Sequence, residues 1–174
     1  MTSHPATPIA AAEDSAAFSA RDFRNAMGAF ASGVVVITTR TADGEAHAMT
    51  ANAFMSGSLE PPLVVISVAL TAKMHAHLAK GADFGVSVLA SGQERDSNHF
   101  AGRRSEDHAP VLVDLDGIPV LSGASVRLAA RQAHAYPCGD HSLFVGHVTA
   151  LQTEAAETSE PLVYYRGKYG ALAS

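Results

Sequence analysis

The chain has 174 residues, the length of about one domain at roughly 150 residues each. Apolar residues make up 47% and charged ones 17%, which excludes disorder along the whole chain. Twelve Lys and Arg against 17 Asp and Glu give a formal net charge of −5, so the surface offers nucleic acid no net attraction.

The longest apolar stretch, Leu63 to Leu70, is broken by Ser67 and falls far short of the ~20 residues that span a bilayer as a helix. No membrane association is expected. A lone Cys138 leaves no internal disulfide framework, and a reducing, cytoplasmic location is the expectation. Residues 1–18 contain no Lys or Arg and carry Glu13 and Asp14, which argues against a secretory or transit signal. This Ala-, Pro-, Ser- and Thr-rich stretch reads as a flexible leader, or as an arm that packs on a partner subunit, ahead of a domain over residues 19–174.

Ser19 followed by Asp22 resembles a capping box, and Phe23, Met27, Phe30 and Ala31 recur at helical spacing, predicting a helix from about Ala20 to Ser32 with Gly33 as its stop. The β-branched run Val34 to Thr39 predicts a strand. Asp43 and Gly44 then turn the chain back through Ala46 to Phe54, completing a hairpin. Pro61 and Pro62 break the chain before a further strand, Leu63 to Val68. A short helix is expected over Ala72 to Lys80, ended by Gly81, and a strand over Phe84 to Leu89.

Beyond these come a helical turn around Gln93 to Phe100 and a loop containing Pro110 and Pro119. Two long alternating runs follow, Ser125 to Tyr136 and Leu143 to Leu151, antiparallel and hinged at Pro137 to His141. A last strand, Leu162 to Tyr165, precedes a basic, aromatic tail containing Arg166, Gly167, Lys168 and Tyr169. Roughly seven strands with few helices favour a mainly β chain, a closed or nearly closed antiparallel barrel, over a doubly wound sheet. No GxGxxG follows the first strand, no GxxxxGK[ST] occurs, and no repeat is present.

Thr50 and Asn52 put polar side chains into an otherwise apolar strand end, and such groups must be satisfied. Either they cap backbone groups at the strand-to-loop junction, or they meet the edge of a flat heterocycle that small Ala51 and Ala53 admit to the backbone. Nine histidines invite a metal, but His75 and His77 fall on different faces of a helix and no HExxH or CxxC is present, so no metal site is expected. Cys138 has no cationic neighbour in sequence to activate it as a redox thiol.

Several of these stretches together resemble the short-chain flavin reductases, the reductase components of two-component flavin monooxygenases. They are Ala26 to Thr39 (AMGAFASGVVVITT), Met49 to Val68 (MTANAFMSGSLEPPLVVISV), Phe84 to Leu89 with Gln93, the triplet Gly139, Asp140, His141, and Pro161 to Tyr169 (PLVYYRGKY). The match is collinear from about residue 21 to 172. The resemblance implies an FMN-binding split β-barrel, commonly a homodimer, that binds FMN or FAD and uses NADH or NADPH to supply reduced flavin to a partner oxygenase.

Carried over by position, the resemblance places the flavin site on Thr38, Thr39, Thr50, Ala51, Asn52, Ala53, Ser56 and Ser58. Gln93 matches the pattern, Asn98 and Phe100 resemble the segment covering the ring, and Ser87 stands where the family has Asn. Where the family commonly has Ser and Thr at a helix start, this chain has Ala72 and Met74, leaving Lys73 and backbone N–H groups for an anion. His141 takes the place of a nicotinamide contact, although a turn histidine bonded to its own loop is the alternative. Arg166, Lys168 and Tyr169 are candidates to meet phosphates and close over the flavin, the two charges being equally suited to a solvated tail. Two other functions fit the same barrel: reduction of another acceptor such as a corrinoid or a ferric chelate, and a flavin- or heme-binding carrier or sensor without turnover.

Overall fold

The computed structural model describes residues 17–154 and 160–172. Most of the expected leader, residues 1–16, therefore lies outside the described residues. Helix α1 spans Ala20–Met27 and starts in the expected capping box: the Asp22 N–H donates to Ser19 Oγ at 3.1 Å and the Ser19 N–H to Asp22 Oδ2 at 3.1 Å. It stops at Gly28, earlier than expected, and Ser32–Gly33 form the short strand β1 instead of a helix end.

Next come β2 (Val35–Arg40), β3 (Ala46–Ala51), β4 (Phe54–Leu59), β5 (Pro62–Ala69), α2 (Lys73–Leu78) and β6 (Phe84–Val88). A 3₁₀ turn at Ser91–Gln93 leads into α3 (Glu94–Phe100). The rest of the chain forms β7 (Leu112–Leu115), β8 (Ile118–Leu121), β9 (Val126–Cys138), β10 (His141–Thr153), β11 (Val163–Tyr165) and β12 (Lys168–Gly170). Seven strands make one antiparallel sheet in the order β3-β2-β6-β9-β10-β5-β4, flanked by a three-stranded sheet β1-β11-β12 and the hairpin β7-β8.

Three expectations need correction. The return strand Ala46 to Phe54 is two strands: the chain leaves β3 at Ala51, crosses through Asn52 and Ala53, and enters β4 at the opposite edge of the sheet. The barrel is thereby joined at this corner by the covalent chain, while β3 and β4 share no ladder. The stretch around Pro119 is no loop, because Asp116 (φ 54°) and Gly117 (φ 81°) close a two-residue hairpin turn between β7 and β8. The hinge at 137–141 shrinks to Gly139 and Asp140, since Pro137 and Cys138 still pair with Ser142 and His141.

β2 explains how the layers stack. It lies between β3 and β6, so successive side chains point to opposite faces and both faces are covered. Val35 and Ile37 join Val64, Ile66, Val68, Phe84, Val86, Leu128 and Phe144 in the barrel interior. Val34 and Val36 pack on the other face with Leu89, Leu121 and Leu162. The β7-β8 hairpin covers that outer face, and the Thr38 hydroxyl donates to the Pro119 carbonyl there. Glycine is required where layers approach most closely: a Cβ on Gly146 would lie 2.5 Å from Phe84 Cζ and 2.8 Å from Ala130 Cβ.

Candidate functional site

The corner where the chain crosses from β3 to β4 opens into a cleft of about 300 Å³, at the small end of ligand-pocket sizes. Its floor is the end of β3, with Thr50 and Ala51, and the crossing residue Asn52; α3 supplies Ser97 and Asn98, and the β11-β12 hairpin supplies Tyr164 and Tyr169. That hairpin turns through Arg166 (φ 48°) and Gly167 (φ 79°) and pairs back onto β1 through β11. Three distant segments thus meet at one edge of the barrel.

Hydrogen bonds hold the walls together. The Thr50 hydroxyl donates to the Ser97 carbonyl at 2.6 Å and ties α3 to β3. Ser97 Oγ and the Tyr169 hydroxyl lie 2.8 Å apart, and that hydroxyl also reaches Asn98 Oδ1 at 3.5 Å. Tyr164 and Tyr169 have ring centroids 5.5 Å apart at an interplanar angle of 60°. Asn52 is exposed, and its amide donates to Ser32 Oγ at 3.3 Å. Apolar rings, small Ala51 and convergent amide and hydroxyl groups suit a flat heterocycle with a polar edge.

Of the residues expected at the site, Thr50, Ala51, Asn52, Asn98 and Tyr169 line this cleft, with Ala53 next along the corner. Ala53 is anchored through its carbonyl, which accepts from the Ser67 N–H at 3.1 Å. Thr38, Thr39 and Ser87 lie apart, fully buried, with their side chains engaged by the fold. Thr39 Oγ1 donates to the Asp83 carbonyl at 2.6 Å, and Ser87 Oγ accepts from the Leu121 N–H at 2.8 Å. Gln93 links Ala90, Asp96 and the Ser122 carbonyl, and so shapes the entry to α3 rather than the cleft. Phe100 packs behind α3 among Val34, Val36 and Leu89.

Ser56 and Ser58 sit on edge strand β4, Lys73 is exposed at the start of α2, and Arg166 lies 5.3 Å over the Tyr165 ring, all outside the cleft lining. His141 also stands outside it, at the start of β10 opposite Ala69. Its Nδ1 is 2.8 Å from Asp140 Oδ1. That hydrogen bond, aided by charge, holds the Asp140 carboxyl below the usual carboxylate range. The Asp140 carbonyl accepts from the Leu70 N–H at 3.0 Å, so the turn is fixed to the end of β5.

Cleft residues that sequence alone did not single out are Val34, Glu94, Ser97, Ala101, Arg103, Tyr164 and Gly167. A signal existed for Arg103, since the Ala101-Gly102 pair after α3 is a helix-stop pattern that fixes where the next side chain starts. Ser97 carried none, being one polar residue within a polar helix.

A model of the flavin reductase like domain matches residues 27–173. The chain belongs to the flavin reductase-like family. It is 43% identical over 151 residues to an NADH-dependent flavin reductase of a Rhodococcus species, covering 86% of this chain and 84% of that protein. It is 42% identical over 154 residues to the reductase component of 4-hydroxyphenylacetate 3-monooxygenase of Thermus thermophilus, covering 86% and 95%. Among solved structures, the NADH:FAD oxidoreductase SgcE6 of Streptomyces globisporus, in complex with NAD and FAD fragments, superposes with a TM-score of 0.78 at 35% identity, covering 88% of this chain and 92% of that one. The fold is accordingly the split β-barrel of the flavin reductases, with the main sheet left open between β3 and β4.

Proposed function

We propose that the protein is an NAD(P)H-dependent flavin reductase that transfers a hydride from NADH, or NADPH, to FMN or FAD and passes the reduced flavin to a partner monooxygenase in the cytoplasm. The observation that carries this reading is the gathering of Thr50, Ala51, Asn52, Ser97, Asn98 and Tyr169 at the open corner of the barrel. The names of the relatives favour NADH as the donor. A flavin, when bound, supplies the acceptor for two electrons and a proton, so the protein needs no nucleophile and no strong acid. Its task is to bind and orient two ring systems. Asn52 has a side-chain carbonyl without a partner among the described residues to meet a heterocycle edge, and the Tyr164–Tyr169 pair would present an apolar wall to it. His141, steadied by Asp140, would position the nicotinamide from the far side of the corner.

The same reading includes a homodimer. Helix α1 buries none of its residues, and Phe18, Phe23, Met27 and Phe30 are all more than half exposed. An amphipathic helix with an uncovered aromatic face is unusual for a monomer. The Arg166 N–H donates to the Gly28 carbonyl at 2.8 Å, so this face adjoins the hairpin that walls the cleft, and a second subunit packed there would shelter the cleft.

The test is oxidation of NADH and NADPH, followed at 340 nm, with FMN and FAD each supplied. Oxidation that requires added flavin is expected, and His141→Ala is expected to raise the KM for the nicotinamide nucleotide more than it lowers kcat. Binding of flavin with no nucleotide consumed under any pairing would sink the reductase and leave a carrier.

A further inference from the structure

Two of the residues lining the cleft are charged, Glu94 and Arg103. Two other arginines beside the site are occupied: Arg95 Nη2 is 2.7 Å from Asp107 Oδ1, and Arg166 stacks on Tyr165. Arg103 has no ion pair, side-chain hydrogen bond or ring contact with any described residue, and Glu94 lies beyond ion-pair distance of it.

Its backbone is nevertheless fixed. The Gly102 N–H donates to the His99 carbonyl at 3.1 Å and the Arg103 N–H to the Asn98 carbonyl at 2.8 Å, with Gly102 at φ 86°. This is a Schellman cap, which sets the arginine backbone against the last turn of α3. The loop that follows is stapled back to the same helix by Arg95–Asp107 and by Asp96–His108 at 2.8 Å. Those contacts also occupy Asp96 and Asp107, leaving neither to neutralise Arg103. An exposed guanidinium with no partner among the described residues, carried on this fixed backbone at the rim of a cleft walled by two tyrosines and two asparagines, matches the two-oxygen face of a phosphoryl group. A cleft of about 300 Å³ has room for a ring system, so a nucleotide seated there carries its phosphate out to the rim.

We infer that Arg103 is the phosphate anchor of the cleft, binding a phosphoryl oxygen of the flavin nucleotide or of the nicotinamide dinucleotide. This rests on the reductase reading and adds the residue that recognises the nucleotide's charge. The experiment is titration of oxidised riboflavin, FMN and FAD into wild type, Arg103→Gln, Arg103→Lys and Arg104→Gln, followed by quenching of flavin fluorescence. The KM for NADH is measured in parallel with riboflavin as acceptor.

If the anchored phosphate is the flavin's, Arg103→Gln weakens FMN and FAD about tenfold and leaves riboflavin unchanged, a loss of roughly 1.4 kcal/mol. Arg103→Lys then recovers part of the loss, and Arg104→Gln, outside the cleft lining, matches wild type. If it is the dinucleotide's, all three flavins bind Arg103→Gln normally and its KM for NADH rises about tenfold. Unchanged phosphate discrimination and unchanged KM in Arg103→Gln would overturn the inference while leaving the reductase intact, as would an equal loss in Arg104→Gln. Wild type that neither binds flavin nor oxidises NADH would remove the functional reading itself.

Discussion

The barrel interior and the cleft are built by opposite means. Inside the barrel Ile37, Ile66, Phe84, Phe144, Met74 and Leu78 are buried to 0 or 1% exposure, and shape complementarity holds them. At the cleft the walls are fastened by side-chain hydrogen bonds, Thr50 to Ser97 and Ser97 to Tyr169, while Asn52 stays exposed. Each of those hydrogen bonds adds about 1 kcal/mol at most and the exposed Asn52 adds less, whereas the barrel tolerates almost no change of volume. Stability and ligand recognition are therefore separable here, and substitutions in the two regions should divide accordingly.

The largest effect is expected in the barrel. Gly146→Val would force side-chain carbon into Phe84 and Ala130, which belong to packed strands that cannot retreat, and loss of the cooperative unfolding transition is expected. Phe84→Ala, which leaves a cavity instead, should cost about 3 to 5 kcal/mol in denaturant melts, with flavin affinity retained in whatever fraction stays folded.

Asn52→Ala should invert that pattern. Its stability change should fall within ~0.5 kcal/mol, as for other exposed positions, while flavin affinity by fluorescence quenching drops about tenfold. A stability loss as large as that of Phe84→Ala would erase the distinction between the regions. Tyr169→Phe lies between them: losing the bond to Ser97 should cost about 1 kcal/mol, with a flavin affinity loss of a few fold.

The smallest effect is a pH dependence where β3 meets α2. Burial pulls the His47 imidazole below its ordinary value, and the charges of His77 and Lys73 add to this. The His47 and His77 rings stand 5.2 Å apart. Because the unfolded chain then binds protons more readily than the folded one, stability falls as pH drops through about 6.5, the unperturbed histidine value. His47→Gln should flatten thermal stability between pH 7 and 5, and an unchanged slope would place its source elsewhere.

Local features of the sequence account for much of the fold. The β-branched run at Val34 to Thr39, the paired prolines before Leu63, the capping box at Ser19 and the long alternation on either side of Gly139 each report short-range sterics or burial period. The chain break at Asn52 was invisible to such reasoning, because the residues on both sides remain strand-like and only sheet closure decides which edge each half joins. Pro119 misled for a related reason: a proline reads as a loop, yet edge position in a two-stranded hairpin lets β8 accept it.

The cleft divides the same way. Thr50, Ala51, Asn52 and Tyr169 were legible because polar groups in an apolar strand end, and a tyrosine in a distinctive tail, stand out against their neighbours. The burial of Thr38, Thr39 and Ser87 was not, since their hydroxyls are engaged by carbonyls and N–H groups as many as 81 residues away. Sequence by itself determined most of the strand segments, several of their turns and which residues carry unusual polarity, since those follow from each residue's own backbone and solvation preferences. Only the tertiary structure decided which polar groups remain free for a ligand, because that depends on partners from distant segments competing for the same hydrogen bonds.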